Sequence, residues 1–288
     1  MPHSTLVSTD LLSSHLADPA WVVVDCRYDL ANEAWGAEQY KAAHIPGAAY
    51  VSLNDDLAGP KDGRNGRHPL PGHDAMAALF GRLGIASGVQ VVAYDQNAGM
   101  YASRLWWMLR YMGHDAAAVL DGGFARWTAE GRPTTDRVEP REPAVFRGKP
   151  RAEMRLSANQ VWARLGDPSM TLVDARSPAR YEGREEPLDR VAGHIPGARN
   201  HFYQWNVGPD GTMLPPEALR EKFGALLGDT PPGQVALYCG SGVTACHNML
   251  AMEHAGLAGM KLFPGSWSEW SADPDKPVET GPDATPKV

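Results

Sequence analysis

The feature that most constrains this chain is an internal repeat. The phrase His-Ile-Pro-Gly-Ala occurs twice, at residues 44–48 and again at 194–198. Each copy follows an apolar run that ends in Asp-x-Arg, first at Asp25 and later at Asp174. The aspartate and the histidine are 19 residues apart in the first copy and 20 in the second. This agreement predicts that one structural unit is present twice.

The repeat continues further along each copy. An apolar run that ends at Asp95 is followed by a helical pattern and then by Trp127, 32 residues later. In the second copy the run ends at Cys239, and Trp270 follows 31 residues later. Four matched positions at matched offsets indicate a tandem duplication. Asp95 stands where the second copy has Cys239, so only the second copy is expected to perform thiol chemistry there.

The fold class follows from the order of the elements. Each copy alternates short apolar strands with helical stretches such as 74–83 and 216–227. This alternation predicts an α/β fold with a parallel sheet and helices on both of its faces. The predicted domains are 1–137 and 152–288, joined by a linker at 138–151 that is polar and has no apolar periodicity. Ligands of such sheets bind at the carboxyl ends of the strands.

Cys239 occupies such a strand end. Residues 235–238 form a short apolar run typical of a buried parallel strand. Gly240 and Gly242 follow, and a helical apolar pattern begins at Val243. A cysteine in this turn faces backbone N–H groups and a helix N-terminus, which favour a thiolate or an anion carried on its sulfur. Two glycines would only weaken the packing of a core cysteine, so we interpret Cys239 as reactive.

Composition narrows the class of protein. The 288 residues carry a formal net charge of −7 and no basic run, which argues against a nucleic-acid surface. The cysteines, Cys26, Cys239 and Cys246, have neither disulfide-framework nor zinc-site spacing. Cys246 falls inside the helical pattern and is expected in the core. The N-terminal residues lack the basic and apolar pattern of a leader, and no apolar run reaches membrane length, so neither a leader nor a membrane span is expected. A cytoplasmic, reducing location is the expectation, without a metal or organic cofactor and without a membrane partner.

These motifs resemble the tandem rhodanese family of sulfurtransferases over essentially the full chain. The resemblance depends on both Asp-x-Arg strand ends, both His-Ile-Pro-Gly-Ala phrases, the loop Cys-Gly-Ser-Gly-Val-Thr at 239–244, and Gly-Ser-Trp-Ser-Glu-Trp at 265–270. It implies two rhodanese-like domains, the first inactive. The loop is similar to that of 3-mercaptopyruvate sulfurtransferases. Thiosulfate-type members typically carry Arg and Lys where this chain has Gly240 and Ser241, and cations there would hold a compact dianion.

The resemblance also implies a mechanism and its residues. Sulfane sulfur would pass from 3-mercaptopyruvate through a Cys239 persulfide to a thiol, cyanide or a thioredoxin-like acceptor, with release of pyruvate. Ser241 matches the serine of a proton relay, and His68, which precedes a Leu-Pro-Gly, matches its histidine. Asp56 matches the acid, with Asp55 as an alternative. His73 follows the same Leu-Pro-Gly but is expected to be solvated.

Substrate binding would require arginine, since its fork matches a carboxylate. The family's first substrate arginine matches Arg180. The second is displaced in this sequence, and Arg190 and Arg184 both compete for the role. The remaining predicted substrate contacts are the loop residues Gly240, Gly242, Val243 and Thr244.

Three other functions are compatible with parts of the sequence. A thiosulfate:cyanide sulfurtransferase is the nearest alternative, because related neutral loops accept thiosulfate. A non-enzymatic persulfide carrier would keep the fold, but the open Cys239 loop argues against it. A cysteine phosphatase would need a loop arginine, and the position six residues past Cys239 is Ala245. His44 and His194 recur in both copies and are therefore expected to be structural.

Overall fold

A computed structural model describes residues 2–96 and 98–282; the predicted domain ends at 1 and 288 lie outside these residues. The described chain forms two compact units. The first comprises the residues up to Gly59 together with Pro71–Arg151 and Gly208–Met213. The second comprises Pro60–Leu70, Ala152–Val207 and the residues from Leu214 onward. Pro60–Leu70 lies within the predicted first domain, 1–137, but is grouped with the second unit.

The first unit contains a five-stranded parallel sheet in the order β1-β5-β4-β2-β3. Its strands are β1 (Leu6–Val7), β2 (Trp21–Asp25), β3 (Ala49–Tyr50), β4 (Gln90–Tyr94) and β5 (Ala117–Leu120). Its helices are α1 (Thr9–Ser14), α2 (Trp35–Ala42), α3 (His73–Arg82), α4 (Ala102–Tyr111) and α5 (Gly123–Ala129). The segment predicted as a linker, 138–151, is grouped with this unit.

The second unit repeats this plan with a four-stranded parallel sheet in the order β7-β6-β8-β9. Its strands are β6 (Thr171–Asp174), β7 (Arg199–Asn200), β8 (Val235–Tyr238) and β9 (Lys261–Leu262). Its helices are α6 (Ala158–Trp162), α7 (Pro178–Tyr181), α8 (Pro216–Leu227), α9 (Thr244–His254) and α10 (Ser266–Trp270). Short 3-10 helices lie at Ala152–Met154, Tyr203–Asn206 and Pro232–Gln234.

The predicted α/β class is confirmed. The burial of the central strands explains why their sequences allowed this prediction. Every residue of β4 and of β8 is buried. Strands covered on both faces need continuous apolar runs, and both strands have them. The tryptophans that follow in each copy fill the cores beside these strands: Trp106, Trp107, Trp127, Trp267 and Trp270 are all buried.

Both units fix the end of their first long strand with the same buried ion pair. Arg27 donates to Asp25, and Arg176 donates to Asp174, with an Nη2–Oδ2 distance of 2.6 Å in each case. The shared His-Ile-Pro-Gly-Ala histidines are also buried. Nδ1 of His44 lies 2.6 Å from a backbone carbonyl oxygen, and Nδ1 of His194 lies 2.7 Å from another. These contacts hold the local backbone in place, so both histidines have a structural role.

Among the residues that the structure describes, no helix is both long and apolar enough to cross a membrane.

Candidate active site

Cys239 follows the last residue of β8 and lies at the carboxyl end of the central strand of its sheet. Its side chain is 2% exposed. The backbone N–H of Gly242 donates to Sγ across 3.1 Å, and the N–H of Cys239 itself donates to Oγ of Ser266 across 3.1 Å. An N–H group directed at the sulfur, next to the start of α9, favours negative charge on it.

The loop from Cys239 to Thr244 closes tightly because position 242 is glycine. Gly242 has a φ of +75°, and a Cβ atom added to it would lie 2.2 Å from the carbonyl oxygen of Pro264. A side chain at this position therefore meets both an unfavourable backbone conformation and a backbone clash. Val243 is buried, and α9 begins at Thr244.

The segment 265–270 holds the outer side of this loop. The N–H of Trp267 donates to the carbonyl oxygen of Cys239 (3.0 Å), and the N–H of Ser268 donates to that of Gly240 (2.9 Å). Ser266 has a positive φ of 56°, which is unusual for a residue with a side chain. In this conformation its hydroxyl donates to the carbonyl oxygen of Phe263 (3.0 Å) while accepting from the N–H of Cys239.

His68 and Ser241 lie together, as the resemblance implied. Nδ1 of His68 and Oγ of Ser241 are 2.7 Å apart, and both side chains are buried. His68 reaches the loop because Pro60–Leu70 belongs to the second unit. A hydroxyl and an imidazole at this distance form a hydrogen bond. This is the geometry that a proton relay needs. His73, in contrast, is exposed and lies 3.0 Å from the hydroxyl of Tyr111.

The two candidate acids lie in the first unit. The carboxylate of Asp56 accepts from the N–H of Ser52 (2.8 Å) and from the guanidinium of Arg82. Asp55 is exposed, and its N–H donates to the hydroxyl of Ser52 (3.3 Å). Asp56 is therefore the better anchored carboxylate. Its role toward His68 stays a prediction.

Of the three predicted arginines, Arg180 is the one that reaches the loop. A Cβ atom added to Gly240 would lie 3.3 Å from Nη1 of Arg180. Nη2 of Arg180 donates to Glu186 (2.7 Å) and approaches Asp189 (3.4 Å). Arg184 is exposed and pairs with Glu182 across 2.6 Å, and Arg190 is exposed as well.

A second arginine, Arg67, also lies over the loop and was not among the arginines predicted from the sequence. Its Nη2 lies 2.8 Å from the position that a Cβ atom of Gly240 would occupy. Its Nη1 pairs with Asp189, and its backbone N–H donates to the hydroxyl of Ser268 (3.0 Å). The only signal in the sequence was its position next to His68. Arg67 and Arg180, named here the arginine pair, bring positive charge to a loop that has none of its own.

Arg180 is anchored to the sheet through Glu186. This buried carboxylate accepts from Arg176 (3.2 Å) as well as from Arg180, and Arg176 is itself paired with Asp174. Burial alone would lower the pKa of Arg176, but the Asp174 carboxylate raises it above its ordinary value. The guanidinium therefore stays charged, and it fixes Glu186 and hence Arg180.

Cys26, Cys246 and Asp95 have environments of a different kind. Burial, reinforced by Asp25, raises the pKa of the Cys26 thiol well above its usual value. Cys246 is buried in α9, and its Sγ lies 3.3 Å from the carbonyl oxygen of Gly242. Asp95 is buried and accepts from the N–H groups of Gly99 (3.1 Å), Tyr101 (2.6 Å) and Ala102 (2.9 Å). It is thus a carboxylate that bonds its own loop.

Comparison with known proteins agrees with these observations. The family model described as the rhodanese-like domain matches residues 8–130 and 157–273. A protein of Pseudomonas aeruginosa named "Probable 3-mercaptopyruvate sulfurtransferase" is 43% identical over 98% of this chain and 100% of its own length. The thiosulfate sulfurtransferase of Cricetulus griseus is 34% identical over 97% of this chain and 96% of its own.

Among solved structures, the 3-mercaptopyruvate sulfurtransferase from Leishmania major superposes with a TM-score of 0.84 at 31% identity. The match covers 94% of this chain and 75% of that one. The repeat, the two parallel sheets and the Cys239 loop are thus accounted for by one family. This chain belongs to the rhodanese family and is a sulfurtransferase built from two rhodanese-like domains.

Proposed function

We propose that the donor is 3-mercaptopyruvate and that its sulfur passes through a persulfide on Cys239 to an acceptor, with release of pyruvate. The observation that carries this proposal is the contact between His68 and Ser241 beside Cys239. A donor whose leaving group is an enolate needs a proton at carbon, and a paired hydroxyl and imidazole supplies one. The name of the Pseudomonas aeruginosa relative supports the same donor.

In the first half-reaction the Cys239 thiolate attacks the sulfur of the donor. An S–S bond forms and the C–S bond breaks, and the electron pair of that bond leaves as the enolate of pyruvate. A proton passes from the pair of Ser241 and His68 to the methylene carbon of the enolate, and the proton of the donor thiol replaces it on the pair. The products are pyruvate and a Cys239 persulfide, and the N–H of Gly242 stabilises the negative charge that the sulfur carries.

In the second half-reaction an acceptor thiolate attacks the outer sulfur of the persulfide. The S–S bond breaks, the sulfane sulfur leaves on the acceptor, and the Cys239 thiolate is restored. The proton of the acceptor thiol stays with the acceptor persulfide that leaves. We propose that the acceptor is a small thiol, cyanide or a thioredoxin-like dithiol protein. The free thiols of Cys26, Cys239 and Cys246 support a reducing, cytoplasmic setting.

A second candidate donor is thiosulfate. The arginine pair favours it, because the two guanidinium groups lie within reach of an anion bound next to Gly240. The name of the Cricetulus griseus relative points in the same direction. In this reading Arg67 and Arg180 supply the positive charge that thiosulfate-type loops carry in their own sequence.

The test is to measure kcat/KM for 3-mercaptopyruvate and for thiosulfate with one and the same acceptor. We expect a preference of about tenfold or more for 3-mercaptopyruvate, because only that donor needs the proton of Ser241 and His68. A preference for thiosulfate would favour the second candidate. Activity with neither donor would contradict both.

A further inference from the structure

We propose that Ser266 is a positioning residue for the nucleophile: its hydroxyl holds the backbone of Cys239 so that the sulfur meets the N–H of Gly242. The inference deepens the proposed function and rests on it, since it takes Cys239 as the residue that accepts the sulfur. It holds for either candidate donor, because it concerns the nucleophile and not the molecule that the nucleophile attacks.

The first observation is that both backbone polar groups of Cys239 are held by the segment 265–270. Oγ of Ser266 accepts from the N–H of Cys239 (3.1 Å), and the N–H of Trp267 donates to its carbonyl oxygen (3.0 Å). The hydroxyl of Ser266 donates to the carbonyl oxygen of Phe263 (3.0 Å), which leaves its lone pairs for the N–H of Cys239. With its backbone fixed on both sides, Cys239 presents Sγ to the N–H of Gly242 at 3.1 Å.

The burial of Ser266 decides how it can act. Its side chain is 0% exposed, so it does not touch a donor that arrives from solvent. It can influence the reaction only through the residue that it holds. Without the hydroxyl, the buried N–H of Cys239 loses this acceptor, and the end of the strand is no longer fixed there. A displacement of about 1 Å at a reacting group can cost about a hundredfold in rate.

The second observation comes from the internal repeat. Gly123 precedes Trp127 by four residues, and Ser266 precedes Trp270 by the same number. The two positions have the same left-handed backbone, with φ of +58° at Gly123 and +56° at Ser266. This conformation is easy for glycine and unfavourable for serine. The copy with the cysteine therefore carries a strained serine where the other copy has an unstrained glycine.

Other contacts of this segment are common to the two copies. The N–H of Phe124 donates to the carbonyl oxygen of Asp95 (2.8 Å), as that of Trp267 does to Cys239. A Cβ atom on Gly123 would lie 2.6 Å from the same carbonyl oxygen, so the first copy has no room for a side chain there. The second copy makes room for one and uses its hydroxyl. Strained residues of this kind are typical of functional sites, and the strain here accompanies the thiol.

The test separates the hydroxyl of Ser266 from its strain by measuring kcat and KM for pyruvate release, the rate of Cys239 alkylation by iodoacetamide, and the melting temperature. Ser266→Gly removes both, so kcat and the alkylation rate should fall about tenfold to a hundredfold, with KM unchanged and the melting temperature near that of wild type. Ser266→Ala should lose kcat and also melt earlier. Ser266→Thr keeps the hydroxyl, so it should retain kcat within severalfold while melting earlier, because a β-branched residue disfavours positive φ.

The control is Ser271→Gly, the same substitution at a partly exposed serine directly after α10, which should leave kcat unchanged. Wild-type kcat and alkylation in Ser266→Gly would overturn the proposal. So would a folded Ser266→Thr variant that is as inactive as Ser266→Gly, since the hydroxyl would then not be the cause. If Ser266→Gly fails to fold, the difference between the alanine and threonine variants decides. Pyruvate release that persists in Cys239→Ser would contradict the proposed function instead.

Discussion

Nδ1 of His68 lies 2.7 Å from Oγ of Ser241, although 173 residues separate them in the chain. The two come together because Pro60–Leu70 belongs to the unit that carries the cysteine loop. Ser241 is fixed by the tight turn at Gly242, and His68 is the neighbour of Arg67, whose backbone is bonded to Ser268. His68 of the relay and Arg67 of the arginine pair therefore lie on the same short segment, Pro60–Leu70.

The relay predicts that Ser241→Ala and His68→Gln each lower kcat for pyruvate release from 3-mercaptopyruvate. The expected loss is about a hundredfold or more, the usual contribution of a positioned proton donor. The double variant should lose little more than either single one, because the two side chains act as a unit. His73→Gln is the matched control, since His73 is exposed and bonded to Tyr111. Unchanged pyruvate release in both single variants would exclude the relay.

The loop geometry predicts that Gly242→Ala is severely damaging. The new Cβ would meet the carbonyl oxygen of Pro264 at 2.2 Å, in a backbone with φ of +75°. The backbone conformation alone costs about 1–2 kcal/mol. We therefore expect the free energy of unfolding to fall by more than about 2 kcal/mol and sulfur transfer to be lost. Gly233→Ala is the control, because nothing lies within 4 Å of its added Cβ. Equal denaturation midpoints for the two variants would contradict this account of the loop.

Asp95 is predicted to matter for stability and not for chemistry. Asp95→Ala leaves three buried N–H groups, those of Gly99, Tyr101 and Ala102, without this acceptor. We expect the free energy of unfolding to fall by about 3 kcal/mol, with unchanged kcat for the protein that remains folded. Urea denaturation measures the first quantity and active-site titration the second. Asp136→Ala, an exposed aspartate, should be neutral. A specific loss of kcat in Asp95→Ala would show that the first copy takes part in the reaction.

The buried side chain of His201 leads us to predict that the folded protein loses stability in acid. Burial lowers its pKa from 6.5 to about 4, and its Nε2 lies 2.8 Å from Oδ1 of Asn206. Because the folded protein holds this histidine neutral, the unfolded chain binds the extra proton between these two values. Its contribution is therefore complete above pH 6.5 and is lost as the pH falls toward 4, up to about 3 kcal/mol.

The check on His201 is urea denaturation at several pH values between 4 and 7. His201→Gln is expected to lower stability at pH 7, where it loses the packing of the ring, and to flatten the dependence on pH. The same slope in the variant and in wild type would mean that other groups cause the acid sensitivity.

Local sequence patterns were sufficient to predict the main strands and helices. The run 235–238 and the helix 216–227 match β8 and α8 residue for residue, because burial on one face or two imposes a period on the sequence. The two glycines beside Cys239 were the basis for predicting that it is reactive, and that stays a prediction. Ser241 and His68 were paired through the resemblance, and no spacing rule would have paired them.

The sequence could not predict contacts between distant polar residues. Arg67 was overlooked because its charge acts at Gly240, far along the chain, and only the folded backbone brings them together. The loop itself has no cation, as its sequence indicates, but the sequence does not show that Arg67 lies next to it. Ser266 was not recognised either, since its left-handed conformation follows from the close approach of segment 265–270 to the loop. The resemblance left both Arg184 and Arg190 open as the second substrate arginine, because that position is displaced in this sequence, and both side chains are exposed.

The most direct test of the central claim is a single turnover with 3-mercaptopyruvate and no acceptor, followed by peptide mass spectrometry and a pyruvate assay. We predict one pyruvate released per enzyme and a mass gain of one sulfur atom on the peptide at Cys239, which a thiol acceptor then removes. Cys246→Ser should behave like wild type, and Cys239→Ser should release no pyruvate. Pyruvate release that persists in Cys239→Ser, or sulfur found on another cysteine, would contradict the account.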